Sequence, residues 1–184
     1  MESIIQSFLL VLASEMGDKT QLIALVLVAR FRKPWTIMAG ILVATLANHG
    51  LASFAGEMVA SWLSPQVLKW GLIALFVGFG LWILIPDKEE CLDERKNYGA
   101  FLTTLVVFFL AEMGDKTQLA TVALGAKFNS VVAVTIGSTL GMMVADGLAV
   151  FLGPRLLRKI PMKAVRITAC FLFIAFAILI YFQI

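Results

Sequence analysis

The chain has 184 residues, 60% of them hydrophobic and 15% charged, with a formal net charge of +3 and a mean hydropathy of +0.93. These values exclude an ordinary water-soluble domain, so most of the chain must be dissolved in lipid. The 15 Lys and Arg sit in short polar breaks and form no continuous basic face, which excludes a nucleic-acid footprint.

Spanning about 30 Å of hydrocarbon takes roughly 20 predominantly apolar residues in a helix. Six runs meet that need: Ser3 to Ala29, Trp35 to Ala60, Val67 to Ile85, Gly99 to Ala126, Val131 to Leu152 and Ala164 to Tyr181. Pro34, Pro65, Pro86, Pro154 and Pro161 all fall between runs, where a missing N–H does least harm. The N-terminus lacks the basic n-region of a secretory signal and its apolar run carries Glu15, Asp18 and Lys19, so it reads as a retained transmembrane helix. Trp35, Trp62 and Trp82 near run ends read as headgroup anchors, and Glu57 as a solvated interfacial acid.

The break at Pro86 to Tyr98 is the one real linker; Asp87, Lys88, Glu89, Glu90, Asp93, Glu94, Arg95 and Lys96 make it strongly solvated. It divides the chain into a first unit at 1–85, a charged linker at 86–98 and a second unit at 99–184. Loops one, three and five collect the basic residues, among them Arg30, Arg32, Lys33, Arg155, Arg158 and Lys163. The positive-inside rule then puts the linker in the cytoplasm and both termini outside it. Cys91 in the linker and Cys170 in an apolar run lie at different expected depths and are poor disulfide partners.

The eight residues Glu15-Met16-Gly17-Asp18-Lys19-Thr20-Gln21-Leu22 recur unchanged from Glu112 to Leu119, an offset of 97. The same offset pairs Ser7 with Thr104, Phe31 with Phe128, Gly40 with Gly137, Gly50 with Gly147 and Lys69 with Arg166. The duplication therefore covers most of the chain, with three spans per half. An odd number of spans makes the second half enter from the other face. The expected architecture is an all-α polytopic membrane protein of six transmembrane helices arranged as two inverted-topology repeats, which alternating-access transporters use.

Each motif brings three charges to a span, and a charged side chain near the bilayer centre costs about 2.5–3.5 kcal/mol. Leu or Ala would pack as well without that cost, so the charges point to chemistry. A two-fold axis in the membrane plane would gather Glu15, Asp18, Glu112 and Asp115 at one point, and four hard oxygen donors suit a divalent cation. Four carboxylates and two lysines leave a formal −2, which one divalent ion or two protons would neutralise. Lys19 and Lys116 are expected to pair with carboxylates of their own or the opposite motif.

Ser14, Thr20, Thr117, Gln21 and Gln118 supply supporting polar groups beside the acids. Gly17 and Gly114 either let a neighbouring backbone approach or break the helix and free its carbonyls. Met16 and Met113 offer a soft sulfur or simple packing. The second spans carry Asn48-His49-Gly50 against Ala145-Asp146-Gly147. His49 either ligates metal or relays protons opposite Asp146, or is a packing histidine.

The doubled motif resembles the Glu-x-Gly-Asp-(Lys/Arg)-(Thr/Ser) signature of the Gdt-type cation exchangers of the lysine-exporter superfamily, matched by Glu15, Gly17, Asp18, Lys19 and Thr20 and by Glu112, Gly114, Asp115, Lys116 and Thr117. The resemblance implies a compact bacterial inner-membrane exporter of Mn2+, or alternatively a Ca2+ carrier, exchanging the metal for protons. The metal is then cargo, no other cofactor is expected, and the partners are the cation, protons and the bilayer. A passive cation channel is the runner-up, because an acidic ring also selects cations. An intramembrane enzyme is disfavoured, since no nucleophile constellation or His-rich metal triad accompanies the acids.

Overall fold

A computed structural model describes residues 1–85, 98–153 and 161–183. Among these the secondary structure is all helical: α1 (Glu2–Glu15), α2 (Lys19–Phe31), α3 (Pro34–Trp62), α4 (Pro65–Trp82), α5 (Ala100–Glu112), α6 (Lys116–Phe128), α7 (Val131–Leu152) and α8 (Met162–Gln183). The charged linker expected at 86–98 falls almost wholly outside the described residues, as do Pro154, Arg155, Arg158 and Lys159.

Four helices, α3, α4, α7 and α8, are each long and apolar enough to cross a membrane. The first and fourth apolar runs, continuous as sequence, are each divided in two. The breaks fall inside the repeated motif, at Met16-Gly17-Asp18 and Met113-Gly114-Asp115. At 13 or 14 residues, each of α1, α2, α5 and α6 is about 20 Å long and falls short of a bilayer alone.

Local chemistry explains the boundaries. Pro34 and Pro65 open α3 and α4, where the preset φ helps and no helical hydrogen bond is lost. Arg32 and Asn129, related by the repeat offset, end α2 and α6 in the left-handed conformation and return their N–H groups to Val28 and Gly125. Glu57, near the end of α3, is half-buried and accepts the Val131 N–H at the start of α7, at 3.3 Å.

The packing follows small residues. Gly137 and Gly141 of α7 lie directly against the backbone of α1, so that a Cβ on Gly137 would stand 2.3 Å from the Ile4 carbonyl oxygen. Gly56 of α3 and Gly125 of α6 bring those two helices together in the same way. The offset-related pair, α2 with α7, packs more loosely, and Val28 stands where α6 has Gly125. One buried cluster centres on Phe76, Phe79, Phe173 and Phe176 of α4 and α8; a second, around Ile37, Ile41, Phe108 and Met142, joins α3, α5 and α7. Trp35, Trp62 and Trp70 near helix ends, and leucines along the outer faces, are exposed, as lipid contact requires.

Candidate metal centre

Both breaks have the same construction. Gly17 and Gly114 adopt φ of +82° and +77°, a region costly for any residue with a Cβ. Around Gly114 a Cβ would meet nothing within 4 Å. The glycine is therefore required by the turn and not by close packing, and of the two sequence readings the helix break is the one found. The next residue, Asp18 or Asp115, is extended and serves as the N-cap position of α2 or α6, yet neither carboxylate caps its own helix. The freed Gly17 N–H donates to Oε1 of Gln21 at 2.9 Å, and the Gly114 N–H donates to Oε1 of Gln118 at 2.6 Å. Each glutamine thus satisfies a backbone donor that the break exposes, a bond that matters most at part-buried Gly17, since Gly114 is open to its surroundings.

The breaks also bring carboxylates together. One ligand oxygen each from Glu15, Glu112 and Asp115 lie within 4.8 Å of one another. Glu15 and Glu112 are buried and Asp115 is half-buried. Asp18 is not in that triad; it lines a small polar pocket with Ser14, Gly17, Lys116 and Arg166, within electrostatic range of Glu112, as is Asp146. Arg166 joins this lining from α8, and its one mark in the sequence is its correspondence with Lys69 at the repeat offset.

The hydrogen bonds of the triad are unequal. Thr20 donates to Oε2 of Glu15 at 3.0 Å, and Thr117 of the opposite motif donates a short bond to its Oε1. Both oxygens of Glu112 are buried with no hydrogen-bond donor among the described residues. A buried, undonated carboxylate beside two others is an arrangement that a hard cation or protons would relieve. Lys19 reaches across to Asp115 of the opposite motif at 3.8 Å. Lys116 lies within 3.4 Å of the Ile85 carbonyl.

The remaining residues singled out in the sequence tie the site to its surroundings. Gln21 donates to the Ala145 carbonyl of α7 at 2.6 Å, and Asn48 to the Phe109 carbonyl of α5 at 3.0 Å. Both acceptors are backbone groups that no side-chain pattern reveals. Ser14 bonds its own helix at Val11. Met16 sulfur lies 3.8 Å from Gln21 Nε2, while Met113 is exposed. His49 is fully buried with neither ring nitrogen partnered among the described residues, and it is not in the carboxylate triad. Asp146 is equally buried and neither of its oxygens receives a hydrogen bond among the described residues.

Broken helices clothed in exposed apolar side chains around a buried acidic cluster define an integral membrane protein that handles cations. Comparison with known proteins makes this specific. The chain matches the family described as "Divalent cation/proton antiporter GDT1" over residues 3–91 and 100–184, and it belongs to that family, which comprises transporters and not enzymes. It is 44% identical over 166 residues to a Vibrio cholerae protein named "Putative manganese exporter", covering 90% of this chain and 83% of that one. It is 29% identical to the GDT1-like protein sll0615 of Synechocystis, covering 92% of each. Rice GDT1-like protein 3 is also 29% identical, over 98% of this chain and 74% of its own length. No solved structure matches the chain significantly.

Proposed function

We propose that this antiporter exports a divalent cation, Mn2+ foremost and Ca2+ as the alternative, in exchange for protons, by alternating access around Glu15, Glu112 and Asp115, with Asp18 at the entrance. The carrying observation is the triad itself: three ligand oxygens within 4.8 Å, contributed by two identical motifs 97 residues apart. Hard oxygens suit Mn2+ and Ca2+ better than softer metals, and the Vibrio relative's name favours manganese. The same oxygens bind protons when the metal leaves, so exchange needs no further titratable group. Gln21, Gln118, Thr20 and Thr117 hold the broken backbone and the Glu15 carboxylate; Lys19 and Lys116 limit the negative charge of the empty cage. Ser14, Asn48, His49 and Asp146 are supporting groups, and the protein carries no cofactor besides its cargo.

The architecture proposed is six spans in two inverted halves, 1–85 and 99–184, joined by a cytoplasmic linker at 86–98. The pairs α1–α2 and α5–α6 each make one broken crossing. Support comes from the packing: α1 lies against α6 and α2 against α5, the pairing that two oppositely directed broken helices make at a shared centre. Half-helix ends aimed at a midplane ion are a recurring transporter device. The distribution of Arg and Lys supports both termini outside the cytoplasm of a bacterial inner membrane.

The test is Mn2+ flux in proteoliposomes with an entrapped pH dye. A carrier gives saturable uptake with an opposing proton movement and follows an imposed pH gradient. Uptake that leaves internal pH unchanged would remove the coupling at this site, and unitary currents in a planar bilayer would indicate a channel instead.

A further inference from the structure

The phenylalanines of α4 and α8 obey the repeat: Phe76 pairs with Phe173, and Phe79 with Phe176, at the offset of 97. So do the ends of the second half-helices, where Arg30-Phe31 of α2 corresponds to Lys127-Phe128 of α6. Their surroundings nevertheless differ. Lys127 Nζ lies 4.0 Å from the centre of the Phe176 ring, and the Phe128 and Phe176 rings are 6.1 Å apart. Phe79 has its ring contacts with Phe76 and Phe173, on α4 and α8 themselves. Each cation also sits over its own neighbour, Arg30 over Phe31 and Lys127 over Phe128, but Arg30 is exposed whereas Lys127 is half-buried.

The same inequality runs through the packing. Among the described residues α4 packs on α6 and α8 on α1, while the offset-related pairs, α8 with α2 and α4 with α5, make no comparable contact. Sequence does not dictate this preference, because the aromatic and cationic residues are present on both sides. Since α1 and α6 pack on one another, the α4–α8 pair lies beside the α1–α6 end of the bundle and not beside the α2–α5 end, which packs on α3 and α7. The polar pocket at the first break agrees: besides Asp18 and Lys116 it is lined by Ile83, just beyond the C-terminal end of α4, and Arg166, in the first turns of α8.

We infer that Lys127 and Phe128 seated on Phe176 form one of two alternating gates, and that Arg30 and Phe31 seat on Phe79 to form the other when α4 and α8 swing to the opposite end. This rests on the inverted-repeat reading above. The gate residues are positioning residues: they touch no cation, but they set which end of the path is closed. A cation lying over an aromatic ring suits this task, being attractive at short range and quickly given up to water or headgroups.

The experiment uses the full chain in proteoliposomes with Cys91 and Cys170 replaced by Ser. Two cysteine pairs are made, Lys127→Cys with Phe176→Cys and Arg30→Cys with Phe79→Cys, and treated with a short, reductively cleavable bifunctional thiol reagent. Both pairs are expected to crosslink, with opposite response to the direction of the Mn2+ gradient. Each crosslink should lower exchange at least tenfold until it is cleaved. Failure of the Arg30/Phe79 pair to crosslink in vesicles that still exchange Mn2+, or undiminished exchange with the Lys127/Phe176 pair crosslinked, would overturn the inference. The Lys127/Phe176 crosslink should also form in a Glu15→Gln background, which separates failure of the gate from failure of the metal site. Because a cysteine pair can fail to fold, Phe176→Leu and Phe79→Leu, which keep an apolar side chain, are compared by hydrogen exchange. Phe176→Leu should reduce protection at the end of α6 at least tenfold and Phe79→Leu should not; equal responses would again refute the gate.

Discussion

The two copies of the eight-residue motif are identical in sequence and unequal in structure. Their backbones break in the same way, with a left-handed glycine whose N–H is taken up by a glutamine four residues on. Their glutamates diverge: Glu15 receives both threonine hydroxyls, one from each motif, while Glu112 receives no hydrogen bond among the described residues. Gln21 is buried and also holds α7, whereas Gln118 is half-exposed. A motif thus dictates its own turn, but the company its carboxylate keeps is settled by how the halves pack around it.

The comparison can be broken at several points. The largest effect is expected from Glu15→Gln and Glu112→Gln. Neutralising a ligand carboxylate weakens the grip on a hard cation while relieving repulsion among the buried acids, so each variant should lose Mn2+ exchange by about 100-fold or more while the protein remains folded in detergent. If only one were affected, the motifs would not share a site. Next come the hinges. Gly17→Ala and Gly114→Ala each force a Cβ into the left-handed region at about 1–2 kcal/mol, and thermal unfolding should show similar losses for both; a harmless change at either would show that its break is not needed.

Smaller effects sharpen the contrast. Gln21→Ala should destabilise by about 1–3 kcal/mol, because it orphans the Gly17 N–H and also frees the Ala145 carbonyl. Gln118→Ala should cost about 1 kcal/mol or less, since Gly114 is exposed and its N–H can find another partner; equal losses on thermal unfolding would contradict the asymmetry. The smallest is a pH trend. Protons and metal compete for the same oxygens, so Mn2+ affinity should fall as pH falls, with protons released on binding; calorimetry in buffers of different ionisation enthalpy reads that release.

Much of this was legible in the sequence. The six apolar runs coincide with the helices or helix pairs to within a few residues, because length and prolines fix such boundaries. The motif residues were found because charges in lipid need a reason. The choice at Gly17 and Gly114 was not legible, since a glycine permits both a close approach and a break, and backbone torsion decides. Nor was the absence of Asp18 from the triad: the repeat implies four equivalent acids, and only the packing makes them inequivalent. The acceptors at Ala145 and Phe109 are carbonyls, invisible to any reading of side chains. The partner of Glu57, the N–H of Val131, lies on a different helix and was equally out of reach of the sequence.

The most direct test of a single shared cage is the stoichiometry of Mn2+ bound to purified protein at equilibrium, in the parent chain and in Glu15→Gln and Glu112→Gln. One ion per chain, lost in either variant, is the outcome expected when both motifs grip the same cation. Two ions per chain, or one retained after either substitution, would mean that each motif binds by itself.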